Sequence, residues 1–272
     1  MSDVILVVLE RPEAAAHLLH AAECLAVLTG GARINALAIC TPPGYALLTA
    51  EGTVSGDLLE ALVAEEKQRI AKLEAAFDTW VAGAEEAPFT ARWSSVDGLA
   101  DPVLGREGRG SDLIVVARPA SGDDEPTRRA FHAALFRTER PVLVVPPDPV
   151  PVFGRRVAVA WRDDGRAPKA VLPALRFLGH AEQVHVLAGV RQGHGQPDLP
   201  AIFFDHGIRA ELHVLPIAPG PFGRALLEKA HELGADMLVM GAYAHSPLRE
   251  ALLGGVTRYM LAHADLPVLM RH

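Results

Sequence analysis

The chain repeats itself, and no other feature restricts so strongly what it can fold into. Ser111-Asp112-Leu113-Ile114-Val115-Val116-Ala117 is answered by Ala235-Asp236-Met237-Leu238-Val239-Met240-Gly241. Further on, Arg140-Pro141-Val142-Leu143-Val144-Val145 is answered by Leu266-Pro267-Val268-Leu269-Met270. The openings correspond too, residues 4–8 with 156–160, and each leads into an Ala- and Leu-rich stretch, 12–29 and 166–179. Repetition at this period marks a duplicated structural unit. Between the copies, Pro146-Pro147-Asp148-Pro149-Val150-Pro151 forms a stiff connector that neither a helix interior nor a central strand tolerates. The expected organisation is two tandem domains, 1–147 and 153–272, joined by a proline-rich linker at 148–152. With 272 residues, 50% of them hydrophobic, there is material for two cores, and disorder is excluded as the main state.

Each copy alternates short apolar runs with helical patterns. In the second, runs near 156–161, 183–188, 210–215, 236–240 and 267–270 lack polar alternation, as suits strands covered on both faces of a parallel sheet. Strand–helix alternation with right-handed crossovers gives an α/β fold of doubly wound, parallel-sheet domains. The first copy carries an extra long helix, about 56–82, with Leu58, Leu62, Arg69/Ile70, Leu73, Phe77 and Trp80 at helical spacing.

The run Ala235-Asp236-Met237-Leu238-Val239-Met240-Gly241-Ala242-Tyr243-Ala244-His245-Ser246 continues to Leu253-Gly254-Gly255-Val256-Thr257 and His263-Ala264-Asp265-Leu266-Pro267-Val268-Leu269. It resembles the end of a universal stress protein domain: a strand ending in glycine, then Gly-x2-Gly-x9-Gly-(Ser/Thr), a helix and a final "PVLV" strand. Through the repeat, the resemblance extends over nearly the whole chain. It implies the tandem form of that family, with two adenine nucleotide alpha hydrolase-like (Rossmann-like) domains related by pseudo-twofold symmetry. Family members that bind ATP use this loop for the phosphates and the end of the first strand for the adenosine. The physical basis is general: strand-end glycine lets backbone approach a ligand, and a helix N-terminus offers free N–H groups to phosphate.

On these positions the resemblance implies a site for ATP, AMP or another small anion in the second domain, built from Trp161, Arg162, Asp163, Gly241, Ala244, His245, Ser246, Arg249, Gly254, Gly255 and Thr257. The cleft would be formed by residues 161–163, 186–189, 240–246 and 254–257. The match has departures. Ala244 replaces the second glycine, Gly255 stands where Ser or Thr is usual with Thr257 two residues on, and Arg162 occupies the acidic position after the first strand. Ser246 ahead of Pro247 also suits a helix cap. In the first domain Glu10 holds the acidic position. Arg118-Pro119-Ala120-Ser121-Gly122-Asp123-Asp124-Glu125, however, offers a proline and three acids where a phosphate loop would run, so that site is expected to be lost. Residues 1–150 hold 13 Lys/Arg against 22 Asp/Glu, and residues 151–272 hold 13 against 11, so an anion prefers the second half.

The formal net charge of −7 argues against a nucleic-acid partner. No apolar run is long enough to span a membrane and no leader precedes the first strand, which suggests a soluble, cytoplasmic protein. Cys24 and Cys40 read as small buried hydrophobes of a reducing compartment. Nine of the twelve histidines lie in the second half without a recognised ligand spacing, so no metal is expected; His185 and His213 read as packed or edge residues of strands. Gly105-Arg106-Glu107-Gly108-Arg109-Gly110 precedes a strand instead of opening a helix and is a connection, not a dinucleotide fingerprint.

No catalytic residue is expected, the nearest acids and base being Asp163, Asp164 and His245. The leading reading is a stress-response or regulatory binding protein. The alternatives are an interaction or scaffold protein of the same fold that binds no nucleotide and, after it, a nucleotide hydrolase. The terminal strands, short and apolar, are expected to pair antiparallel and bury Val144 and Leu269, so that the two domains join within one chain; a homodimer of chains is a further expectation.

Overall fold

The structure, a computed structural model, describes residues 2–42, 55–84, 87–162, 167–242 and 255–272. Two compact units emerge, Met1–Arg140 and Pro141–His272. In the first, strands β1 (Asp3–Val8), β2 (Ala32–Cys40), β3 (Phe89–Asp97) and β4 (Leu113–Ala117) lie in the order β3-β2-β1-β4, all parallel. Helices α1 (Pro12–Leu28), α2 (Gly56–Gly83), α3 (Ala100–Glu107) and α4 (Glu125–Arg137) connect and cover them. In the second unit, β5 (Val142–Val145), β6 (Arg156–Trp161), β7 (Gln183–Val190), β8 (Glu211–Pro216), β9 (Met237–Gly241) and β10 (Val268–Arg271) take the order β5-β10-β9-β6-β7-β8. Helices α5 (Ala167–Leu178), α6 (Ala201–Asp205), α7 (Phe222–Glu232) and α8 (Gly255–His263) complete it. Strand β5 runs antiparallel to β10 and every other pairing in the unit is parallel.

The two compact units meet in sequence between Arg140 and Pro141, just ahead of β5. Val144 faces Val268 and Leu143 faces Leu269 across the β5–β10 ladder. Val144 is 3% exposed and Leu269 fully buried, so the strand is sealed on the sheet of the second unit.

Burial is nearly continuous along β1, β4, β5 and β9, as suits strands covered on both faces, but β8, over the 210–215 run, is an edge strand with no buried residue. The long helix is present, capped by Ser55, whose Oγ accepts from the Leu58 amide. Its inward stripe is narrower than its spacing suggests. Leu58 is 49% exposed, and of its residues Leu73 and Phe77 are the buried ones. Trp80 stacks on Phe89 with ring centroids 4.8 Å apart.

The repeated aspartate has one job in both units. Asp112 Oδ2 accepts from the Val4 amide at 2.9 Å, while its own amide donates to the Val4 carbonyl. Asp236 accepts from the amides of Gly154, Arg155 and Arg156, and its amide donates to the Arg156 carbonyl. In each unit this carboxylate clamps the start of the fourth strand of the repeat to the start of the first, β1 with β4 and β6 with β9.

Two substitutions test these contacts by denaturant unfolding. Asp236→Ala frees amides that water can reach and should cost about 1–2 kcal/mol. Val144→Lys buries an unpaired ammonium and should cost about 3 kcal/mol or more.

Candidate functional site

In an open parallel sheet, ligands bind beyond the carboxyl ends of the strands where the winding direction reverses. In the second unit that point lies between β6 and β9. Ala160 pairs with Met240, and one residue further each strand ends, at Trp161 and at Gly241. The structure therefore brings Trp161, Arg162 and Gly241 together at the switch point. Trp161 is half-buried and meets the Phe203 ring edge-on at 6.0 Å, so part of its surface is committed to α6. Gly255 begins α8 and is exposed. Thr257, expected to offer a hydroxyl, is 4% exposed in the first turn of α8; its side chain is turned into the packing, not presented to solvent. Asp163, Asp164, Ala244, His245, Ser246, Arg249 and Gly254 lie outside the described residues. At the end of β7, a Cβ on Gly189 would stand 2.6 Å from the Phe222 ring and 3.0 Å from Ile217, so that flank is filled by apolar packing.

The equivalent point of the first unit, between β1 and β4, is occupied by the chain's own charges. Arg69, reaching over from α2, donates to the carbonyls of Glu10 and Ile39 at 2.8 and 2.7 Å and pairs with both oxygens of Glu66. Glu66 also accepts from the Thr41 amide at 3.0 Å. Arg11 pairs with Asp123 at 2.6 Å and donates to the Arg118 carbonyl. The three successive acids of the sequence each have a structural role. Asp123 takes Arg11 and the Ala120 amide, Asp124 caps α4 through the Thr127 amide, and Glu125 pairs with Arg128 and Arg129.

Glu10 is the strained member of this cluster. Its side chain is 10% exposed, Arg69 stands 3.7 Å away but is shared with Glu66, and Oε1 has no hydrogen-bond partner. Burial pushes its carboxyl up to about 8, against the pull of Arg69. Cys40, at the end of β2, is pushed up to about 11 by burial and a hydrogen bond with Asp97, so it is a protonated thiol near neutral pH and a poor nucleophile.

A second constellation lies away from both switch points. His185 of β7 pairs in register with Glu211 of β8, and His213 follows Glu211 by two residues, on the same face of the sheet. His185 Nδ1 is 3.1 Å from His213 Nε2, and each lies 3.7 Å from Glu211 Oε2. Burial above all, then the charge His213 can carry, holds His185 below the usual imidazole range. Sequence reading placed both histidines in strands but could not see them meet, because their partnership depends on the β7–β8 register.

With this geometry in view, comparison with known proteins is informative. Residues 209–272 match the Universal stress protein family. The matched segment runs from β8 to the end of the chain and contains the β9 strand end and α8. No curated protein matches the sequence. A universal stress protein from Archaeoglobus fulgidus DSM 4304 is similar over 100% of this chain and 96% of its own, with 17% identity and a TM-score of 0.69. A candidate universal stress protein from Pseudomonas aeruginosa UCBPP-PA14 is similar over 99% and 93%, with 18% identity and a TM-score of 0.58. The cytoplasmic domain of a prokaryotic cation chloride cotransporter is similar over 99% and 95%, with 12% identity and a TM-score of 0.53. Across its whole length the chain thus has the universal stress protein fold. Among the described residues, no helix is long and apolar enough to cross a membrane.

The buried carboxyl yields a pH test. A group whose pKa is raised on folding contributes fully below its unfolded value, near 4.5, and loses that contribution as pH climbs through about 8. Glu10→Gln should therefore gain on the wild type in unfolding free energy as pH rises across that window, measured by urea denaturation at each pH.

Proposed function

We propose that the protein is a tandem universal stress protein acting as a stress-response or regulatory binding protein, and that its second unit takes ATP, AMP or another small anion. The observation carrying this reading is the contrast between the switch points. In the first unit the crevice is occupied by Arg69, Arg11 and their carboxylate and carbonyl partners. In the second, a strand-end glycine, Gly241, adjoins the end of β6, where Trp161 and Arg162 stand. Charge favours the same unit, since residues 151–272 have 13 Lys/Arg against 11 Asp/Glu. The expected site also draws on Asp163, Ala244, His245, Ser246, Arg249 and Gly254, with the backbone amides at the start of α8 facing phosphate. Its role is recognition, with no catalytic residue assigned. We infer a cytoplasmic location from the same reading.

A ligand that binds the native state alone must raise the melting temperature. At a concentration of 100 times Kd the stabilisation is about 2.7 kcal/mol, which for a unit of this size is a shift of about 5 °C or more. Scanning fluorimetry of the full chain with millimolar ATP, AMP and pyrophosphate should show such a shift for at least one of them. Gly241→Val should abolish it while leaving the far-ultraviolet circular dichroism unchanged. No shift with any of the three would replace this reading with that of an interaction protein that binds no nucleotide.

A further inference from the structure

We propose that His185, Glu211 and His213 form a binding site for a divalent transition metal ion, zinc foremost, on the β7–β8 strands. The inference is independent of nucleotide binding, since the cluster lies on the face of two strands and not beyond their carboxyl ends.

Three donor atoms define the site: His185 Nδ1, His213 Nε2 and Glu211 Oε2, separated by 3.1, 3.7 and 3.7 Å. The point equidistant from all three lies about 2 Å from each, which is the length of Zn–N and Zn–O bonds. Two nitrogen donors of a tetrahedral zinc ion stand about 3.4 Å apart, close to the 3.1 Å between His185 Nδ1 and His213 Nε2. Direct bonding among the three accounts for less of the arrangement. The two imidazoles are within hydrogen-bond reach of each other, but both carboxylate separations exceed normal hydrogen-bond length. An ion at the centre engages all three donors at once.

The backbone sets this geometry. His185 pairs with Glu211, and Leu187 with His213, so the imidazole of β7 is flanked by two donors of β8 spaced one pleat repeat apart. The imidazoles are held firmly, with side chains 8% and 14% exposed, while the Glu211 side chain is 69% exposed. The carboxylate is therefore the solvent-facing ligand and marks the side from which an ion arrives. Two imidazoles with one carboxylate suit zinc or iron(II) and disfavour calcium and magnesium, which take oxygen donors. With three protein ligands, the remaining coordination position falls to water or an exogenous ligand.

The test uses the tag-free full-length chain, stripped with a chelator and titrated with zinc chloride against a chromophoric competitor. One zinc ion per chain is expected. Glu211→Gln, at an exposed side chain that folding does not depend on, should weaken binding by at least about tenfold, and His213→Gln by as much or more. His194→Gln, removing an exposed histidine elsewhere in the unit, should leave affinity unchanged. Cobalt(II) should give the visible absorption of a four-coordinate nitrogen–oxygen site, absent in His213→Gln. Failure of the wild type to bind zinc at 100-fold molar excess would overturn the proposal. So would zinc binding that survives both Glu211→Gln and His213→Gln unchanged.

Discussion

In each unit a single carboxylate ties the start of the repeat's first strand to the start of its fourth. In a parallel sheet the amides at the beginning of a strand face outward with no neighbour to pair them, and a slip by one residue would turn every buried side chain to the opposite face. Asp112 and Asp236 oppose that slip by accepting from amides at and just before the starts of β1 and β6. Once β4 and β9 are fixed against the first strands, the strand ends on the other side are fixed too. The neighbouring strand ends at Trp161 and Gly241 then follow from strand length.

From that common frame the two units diverge through the connections. Helix α2 has no counterpart of similar length among the described residues of the second unit, and it carries Arg69 into the crevice of the first. The arginine finds carbonyl oxygens at two strand ends and a carboxylate one turn away on its own helix. A guanidinium with its donors so engaged is a substitute for a ligand. Glu10 is left with one unpartnered oxygen beside it, a cost the unit carries at the position where the resemblance places an adenosine contact.

Much of this was legible in the residues. The duplication, the α/β class, the long helix and the sealing of β5 all follow from apolar runs and from repetition, because these report local period and burial. The width of the buried face of α2 was not legible: Leu58 continues the helical stripe, yet it is 49% exposed and burial is confined to Leu73 and Phe77. Nor was the fate of the acids at 123–125, since a run of like charges looks like a solvated face until Arg11 and the Ala120 amide are seen to converge on Asp123. Thr257 stood out because it lies two residues past the position where Ser or Thr is usual, and spacing alone does not show that its side chain is buried in the first turn of α8. The His185–Glu211–His213 cluster is the extreme case. No spacing rule along the chain can find three residues that meet only because one strand is laid beside another.

The aspartate clamps also measure how far this fold can be stretched. In the first unit the clamp joins residues 108 positions apart, and in the second 80. The entropy of closing a flexible loop grows only with the logarithm of its length, so the longer circuit of the first unit is disfavoured by about 0.3 kcal/mol relative to the second. That is less than one surface hydrogen bond, and an insertion as large as α2 could therefore enter one copy without threatening the closure that both depend on.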